Sequence, residues 1–261
     1  MLTVERLSRT YGSMVAIARL DFTIEAGEFV CIVGPSGCGK TTLLKCVAGL
    51  LPPSDGRVLL HGQEVLTPPR QMALVFQDYS RSLLPWMSVQ ANVGLPLHRR
   101  NLSGAEQRTL VSDALASVGL EGFERHYPWQ LSGGMQQRVA MARALAYQPE
   151  ILLMDEPFAS VDAQTRSDLE DLLLSVWQRL GITVLFVTHD IDESVYLADR
   201  VVVLSPRPTT VDEILAVGLP RPRDQVTTKE QPEFARLRAH IYTGIKRTPV
   251  AGRAERTEAE A

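Results

Sequence analysis

The chain has few cysteines, little net charge and no long apolar run. Its three cysteines, Cys31, Cys38 and Cys46, lie in a sequence of 261 residues. Their spacing matches no zinc or redox pattern, and an odd count argues against a disulfide framework. They read as small, reduced core or loop residues. No apolar run approaches the roughly 20 residues that a membrane-spanning helix needs. Residues 1–6 lack the apolar centre of a secretory signal, so the chain is expected to stay in the cytosol. A formal net charge of −3 gives no whole-chain electrostatic hold on nucleic acid. No internal repeat is visible. What remains is an ordinary globular composition, 45% hydrophobic and 22% charged, long enough for one large domain or two small ones.

Apolar patterning places the elements. Residues 28–33 form a short apolar run ending at Gly34 and read as a buried strand. Residues 41–48 read as a helix, stopped by Gly49 and by Pro52-Pro53. Residues 151–154 and 183–188 read as two more buried strands. Between those two, Leu169, Leu172, Leu173, Val176 and Leu180 recur at helical spacing, with Gly181 as the stop. Strand–helix–strand order predicts a mainly parallel sheet covered by helices. From about 101 to 147 the pattern is helical without a clear strand, and Ser103 with Glu106 fits a capping box. This reads as a helical insert. Two proline-rich segments, 205–208 and 220–223, read as extended or turn. Residues 247–261 are polar and alanine-rich without apolar period, and are expected to be disordered.

Gly34-Pro35-Ser36-Gly37-Cys38-Gly39-Lys40-Thr41 matches the phosphate-loop pattern G-x-x-x-x-G-K-[ST]. Its glycines allow close backbone approach. Successive amides then point into one concavity at a helix start, where the dipole favours anions. Lys40 is expected to reach the β- and γ-phosphates, Thr41 to ligate Mg²⁺ and Thr42 to touch the α-phosphate. Such a loop alone says only that a nucleoside triphosphate is bound. Cys38 sits inside it at a helix start, where amides can lower a thiol's pKa. A thiol alkylator is therefore expected to inactivate the protein, with ATP protecting it.

Asp155 and Glu156 follow the buried run 151–154. Asp155 is the natural Mg²⁺ partner, and Glu156 is placed to polarise the attacking water as general base. The alternative is an acid capping a helix before Pro157. His189 ends the 183–188 strand, and strand C-terminal ends are where ligands sit in open α/β sheets. A neutral imidazole there can hydrogen-bond a γ-phosphate and the attacking water. Leu131-Ser132-Gly133-Gly134-Met135-Gln136 would by itself be a loop. Here it precedes a strong helical segment at 136–146.

With these residues placed, the chain resembles the ATPase subunit of ABC transporters across residues 1 to about 225. The carriers are the phosphate loop, the Ser132-Gly133-Gly134 signature, the run into Asp155-Glu156-Pro157, and His189. The resemblance implies a phosphate-loop NTPase of the α/β class. Its RecA-like core is mainly parallel, with N-terminal antiparallel strands and an inserted helical subdomain. One ATPase domain would span 1–245, with a core at about 1–77 and 151–245 and the helical subdomain at about 78–150. The resemblance also implies that Tyr11 stacks on adenine, that Gln77 contacts Mg²⁺ and the water, and that Asp162 lies in a loop joining two active sites. Ala159-Ser160-Val161-Asp162 departs in order from the usual Ser-Ala-Leu-Asp and keeps the Asp. Ser132 and the amides of Gly133 and Gly134 would contact the γ-phosphate of ATP held by a second copy. The partners implied are that copy in a head-to-tail dimer, transmembrane permease subunits and, indirectly, an extracytoplasmic solute-binding protein. The place implied is the cytoplasmic face of the inner membrane.

Met135, Leu84-Pro85-Trp86 and Ser205-Pro206-Arg207-Pro208 together resemble the nitrate, sulfonate and taurine group of bacterial importers. The Ser82 to Trp86 stretch would receive the permease's coupling helix. Leu83 and Leu84 fit a docking surface or a local core equally, and Trp86 fits docking better. The rival function is a soluble ABC ATPase that acts on nucleic acid or as a regulator. Such proteins usually carry two cassettes, coiled-coil arms or zinc-binding cysteines, and this sequence has none of these.

Overall fold

A computed structural model describes residues 1–78 and 82–247. Nearly all of the tail expected to be disordered lies outside them. The chain forms two compact units, Met1–Pro68 with the residues from Val187 onward, and Pro69–Phe186.

The first unit begins with β1 (Leu2–Tyr11) and β2 (Met14–Ile24), paired antiparallel. Leu2, Val4 and Leu7 are buried. The step from two to three residues coincides with a register shift between Val4 and Leu7, since an irregularity moves the following side chains to the other face. β3 (Phe29–Val33) is buried at every position, as a strand covered on both faces must be. β4 (Asp55–Leu60) pairs antiparallel with β1, and β5 (Gln63–Glu64) with β4. β9 (Arg200–Leu204) runs parallel to β3, and β10 (Thr209–Ala216) antiparallel to β9. The resulting strand order is β5-β4-β1-β2-β10-β9-β3. It combines the antiparallel N-terminal strands with two parallel pairs, β2 with β10 and β9 with β3. Helix α1 (Lys40–Val47) follows β3. Helix α6 (Ile191–Leu197) and helix α7 (Pro232–Arg247) lie in the same unit, and α7 buries Phe234, Leu237 and Ile241.

The second unit holds β6 (Met72–Val75), β7 (Ile151–Asp155) and most of β8 (Thr183–Val187), in the order β8-β7-β6. β6 and β7 are parallel. Its helices are α2 (Val89–Gly94), α3 (Gly104–Ser117), α4 (Gly133–Ala146) and α5 (Ala163–Leu180), with 3₁₀ turns at Leu95–Arg99 and Pro128–Gln130. The capping box forms at α3: the Glu106 N–H donates to Ser103 Oγ at 3.2 Å, and the Ser103 N–H to Glu106 Oε2 at 2.7 Å. α5 stops where the Gly181 N–H donates to the Trp177 carbonyl at 2.9 Å. The expected helical stretch 101–147 carries α3 and α4. The sequence reading missed α2, which is only six residues long and too short to show an apolar period.

Candidate functional site

The phosphate loop joins β3 to α1 in the first unit. Gly39 caps α1 at φ 113° with no side-chain oxygen on the helix start. Glycine takes that backbone conformation without a Cβ clash, and the dipole at such a start favours an anion. The Lys40 ammonium donates to the carbonyl oxygens of Gly34 at 2.9 Å and Pro35 at 3.2 Å. The Cys38 N–H donates to the Pro35 carbonyl at 3.2 Å. From β10, the buried Thr209 hydroxyl donates to the Cys38 carbonyl. The loop is thus tied inward by its own lysine and outward by a distant threonine. Thr41 is exposed and Thr42 half-buried on the first turn of α1.

Cys38 corrects one expectation. Its thiol is buried, and desolvation raises its pKa despite the Lys40 charge and a backbone N–H of Lys40. The helix start does not make it a reactive thiolate.

Tyr11 ends β1 with 41% of its surface exposed. The Arg9 guanidinium lies 4.8 Å from its ring centre, a cation–π distance. His189 is exposed two residues beyond β8. It is set by its neighbours: the Thr188 N–H donates to the Ile32 carbonyl at 3.1 Å, and Asp190 caps α6 by accepting from the Glu193 N–H at 3.2 Å. His189, Asp192, Arg238 and Tyr242 line a cavity of about 610 Å³ beside α7.

In the second unit, Asp155 is the last residue of β7 and is 6% exposed. Glu156 follows with φ 43°. A non-glycine residue held there costs about 1–3 kcal/mol and is retained where its surroundings over-determine it. Gln77, two residues past β6, donates its Nε2 to Glu156 Oε2 at 3.2 Å. That use of the amide nitrogen leaves the Gln77 carbonyl oxygen as its group for a cation. Gln77 and Asp155 in this unit, and Thr41 in the first, each carry a hard oxygen of the type that suits Mg²⁺. Among the described residues no three His, Cys, Asp or Glu side chains form a metal cluster. These donor types suit a Mg²⁺ that arrives with phosphates and takes most of its ligands from them and from water.

Ser132 caps α4, accepting the Met135 N–H at 3.3 Å. Gly133 and Gly134 open the helix behind it. A Cβ at Gly134 would stand 2.5 Å from Thr165 Cγ2. Thr165 has little freedom to yield, because its N–H and hydroxyl both donate to Asp162, at 3.0 and 2.6 Å. Those bonds, the hydroxyl first, hold the Asp162 carboxyl below its ordinary pKa. Asp162 is itself the N-cap of α5. The structure thus gives it a capping role that the sequence reading did not weigh.

Sequence reasoning missed Thr165 and Thr209. The spacing of Asp162 and Thr165 carries a weak cap signal, but the contact with Gly134 and the bond to Cys38 are tertiary. The stretch after Gln77 divides by residue. Leu83 is buried and Trp86 is 72% exposed. Buried Asn92 accepts the Leu84 N–H at 2.8 Å and donates to the carbonyls of Leu84, Met87 and Ser88 at 3.0–3.2 Å. Arg143 donates to Ser82 at 2.6 and 2.9 Å. The loop carrying Trp86 is therefore pinned at both ends.

A family model described as ABC transporter matches residues 17–159. An uncharacterised ABC transporter ATP-binding protein of Methanocaldococcus jannaschii is 48% identical over 249 residues, covering 94% of this chain and 91% of its own. The nitrate import ATP-binding protein NrtD of Synechococcus elongatus is 46% identical over 239 residues, covering 90% of this chain and 86% of its own. Among solved structures, the cassette MJ0796, dimeric and bound to ADP and Pi in a post-hydrolysis state, superposes with a TM-score of 0.73 at 34% identity. The match covers 83% of this chain and 99% of that one. The cbiO1 subunit of the Clostridium perfringens cbiONQ transporter complex gives a TM-score of 0.77 at 31% identity, covering 83% of this chain and 88% of that one.

Proposed function

We propose that this chain, which belongs to the ABC transporter family of ATP-binding proteins, drives the import of a small anion of the nitrate, sulfonate or taurine type. It is the ATP-hydrolysing subunit of an ABC importer, built on the ABC cassette fold. The observation that carries the chemistry is the Gln77–Glu156 pair: Glu156, on a backbone of positive φ directly after buried Asp155, accepts a hydrogen bond from Gln77 at its carboxylate. The solute class is supported by the 46% identity to a nitrate import protein.

In this reading the phosphate loop, Gly34 to Thr42, holds the triphosphate, and Lys40 neutralises the β- and γ-phosphates. Tyr11 stacks on adenine. Mg²⁺, held by Thr41, Gln77 and Asp155, supplies charge neutralisation when bound. Glu156 accepts a proton from water as the water oxygen bonds to the γ-phosphorus. The bond from that phosphorus to the β–γ bridging oxygen breaks, and ADP and phosphate leave. His189 hydrogen-bonds the γ-phosphate and the water. Phosphoryl transfer depends on positioning and charge, so each group is needed in place. Ser132, Gly133 and Gly134 complete the site of a second copy in a head-to-tail dimer, and the Asp162 loop lies between the two sites. Both units act as one ATPase domain over 1–245.

Among the described residues no helix is long and apolar enough to cross a membrane. We place the chain on the cytoplasmic face, docked to permease subunits through the pinned, exposed Trp86. Exposed aromatic anchors are common energetic centres of interfaces. The test is the transporter reconstituted in vesicles with its own binding protein. Nitrate, taurine or an alkanesulfonate should stimulate ATP hydrolysis and enter the vesicle. Stimulation by none of them overturns the solute class. Recovery with nucleic acid, and no polytopic partner from solubilised membranes, overturns transport.

A further inference from the structure

The segment just before the signature carries an aromatic pair that no role above uses. Tyr127 is 38% and Trp129 71% exposed. Their rings stack, with centroids 6.0 Å apart and planes 17° from parallel. Exposed large aromatics at this density call for a ligand or an interface.

The pair is held firmly. The Tyr127 N–H donates to Gln130 Oε1 at 2.8 Å, and the Gln130 N–H to the Tyr127 carbonyl at 2.9 Å. Gln136, on the first turns of α4, donates its Nε2 to the carbonyls of Pro128 at 3.0 Å and Leu131 at 3.2 Å. The turn is therefore fastened to the helix that carries the signature. Trp129 stands three residues before the cap Ser132, a backbone reach of at most about 10 Å. An extended nucleoside triphosphate has comparable reach from its γ-phosphate to its base.

We propose that Trp129, backed by Tyr127, stacks on the base of the ATP held by the partner copy. This rests on the head-to-tail dimer proposed above. If the amides at the α4 start take the partner's γ-phosphate, a flat exposed ring one turn upstream is suited to a flat base. The nucleotide is then clasped from two chains, by Tyr11 of the copy that binds it and by Trp129 of the copy that closes over it. Trp129 would tie closure to the presence of a base, so that phosphate or a bare polyphosphate does not close the dimer well.

The experiment uses Glu156→Gln protein, which should accumulate the closed dimer, and measures the ATP concentration at half-maximal dimerisation by light scattering. Adding Trp129→Ala should raise that concentration about 5- to 150-fold, the range expected for one lost base stack. Trp129→Phe should recover most of the loss. With ribose 5′-triphosphate, which carries the phosphates and no base, the two proteins should dimerise alike. A Trp129→Ala protein that dimerises at the parent's ATP concentration overturns the proposal while leaving the dimer intact. An equal penalty with ribose 5′-triphosphate also overturns it, because the contact is then with the partner's protein surface. If the Glu156→Gln parent itself never dimerises on ATP, the head-to-tail reading fails and this one with it. In a Trp86→Phe, Trp177→Phe background Trp129 is the sole tryptophan. Its emission should then be quenched on closure by ATP, and unchanged emission counts against stacking even where variants fold poorly.

Discussion

Two helix starts in this chain carry glycines and are read as phosphate sites, yet they are built in opposite ways. The α1 start has no side-chain cap and is held from a distance, by Thr209 on β10 and by Lys40 folding back on its own loop. The α4 start is capped within three residues by Ser132, and its second glycine is pressed against Thr165. The first is a cradle shaped by tertiary contacts, ready to enclose a triphosphate. The second is a locally capped surface, which we read as meeting a phosphate held by a second copy. The difference teaches that a phosphate-binding helix start can be prepared for its own ligand or finished as one half of a joint.

The sharpest way to separate the two is to remove the chemistry and keep both starts. Glu156→Gln should lower ATP turnover about 10²–10⁴-fold, the usual weight of a general base, while ATP binding by a fluorescent analogue stays intact. Turnover near the parent rate would remove Glu156 from that role. Gly134→Ala attacks only the α4 start. Its methyl would meet Thr165 Cγ2, and a displacement of that size in a reacting site costs about 10²-fold. Adding Thr165→Ser deletes the obstructing methyl, keeps the hydroxyl bonded to Asp162 and should restore most of the activity. Failure of that rescue would break the link between the signature and the α5 cap.

At the α1 start the expected effects are smaller. The raised pKa of Cys38 predicts alkylation by iodoacetamide at pH 7 at least ~10-fold slower than that of an exposed cysteine, since only the thiolate reacts. The rate should climb as pH passes above the ordinary thiol range; fast labelling at pH 7 would contradict the buried position. Thr209→Val removes the bond to the Cys38 carbonyl, worth about 1 kcal/mol. ATP affinity should fall about 5-fold, with no change in turnover at saturating ATP. Ser132→Ala should cost the α4 cap about 1 kcal/mol, a fall of roughly 2–4 °C in melting temperature for a chain of this size. No shift would mean that the Met135 N–H finds another acceptor.

The same contrast explains what could be read from the amino acids. The phosphate loop, the signature and the Asp155-Glu156 pair stood out in the sequence because each is a short run whose residue types and spacing carry a pattern by themselves. The capping box at Ser103 and the stop at Gly181 were legible for the same reason. Thr209 was not, because its bond to Cys38 joins residues 171 apart in sequence. Cys38 misled for a related reason: its place at a helix start is a sequence property, but the direction of its side chain into the core is a property of packing. Leu83 fitted a docking surface and a local core equally in the sequence, whereas Trp86 fitted docking better; packing in the loop held by Asn92 and Arg143 buries Leu83 and leaves Trp86 exposed.

The Ser132 cap carries one more consequence. A hydroxyl accepts with its lone pairs and donates with its proton. Ser132 can therefore hold the Met135 N–H and still offer a hydrogen to an incoming phosphate, doing both jobs at once. A carboxylate can do only the first. Ser132→Asp would leave α4 as well begun as before and would place a negative charge where the phosphate must arrive. A signature changed in this way separates helix stability from dimer closure, two properties that serine carries together in one atom.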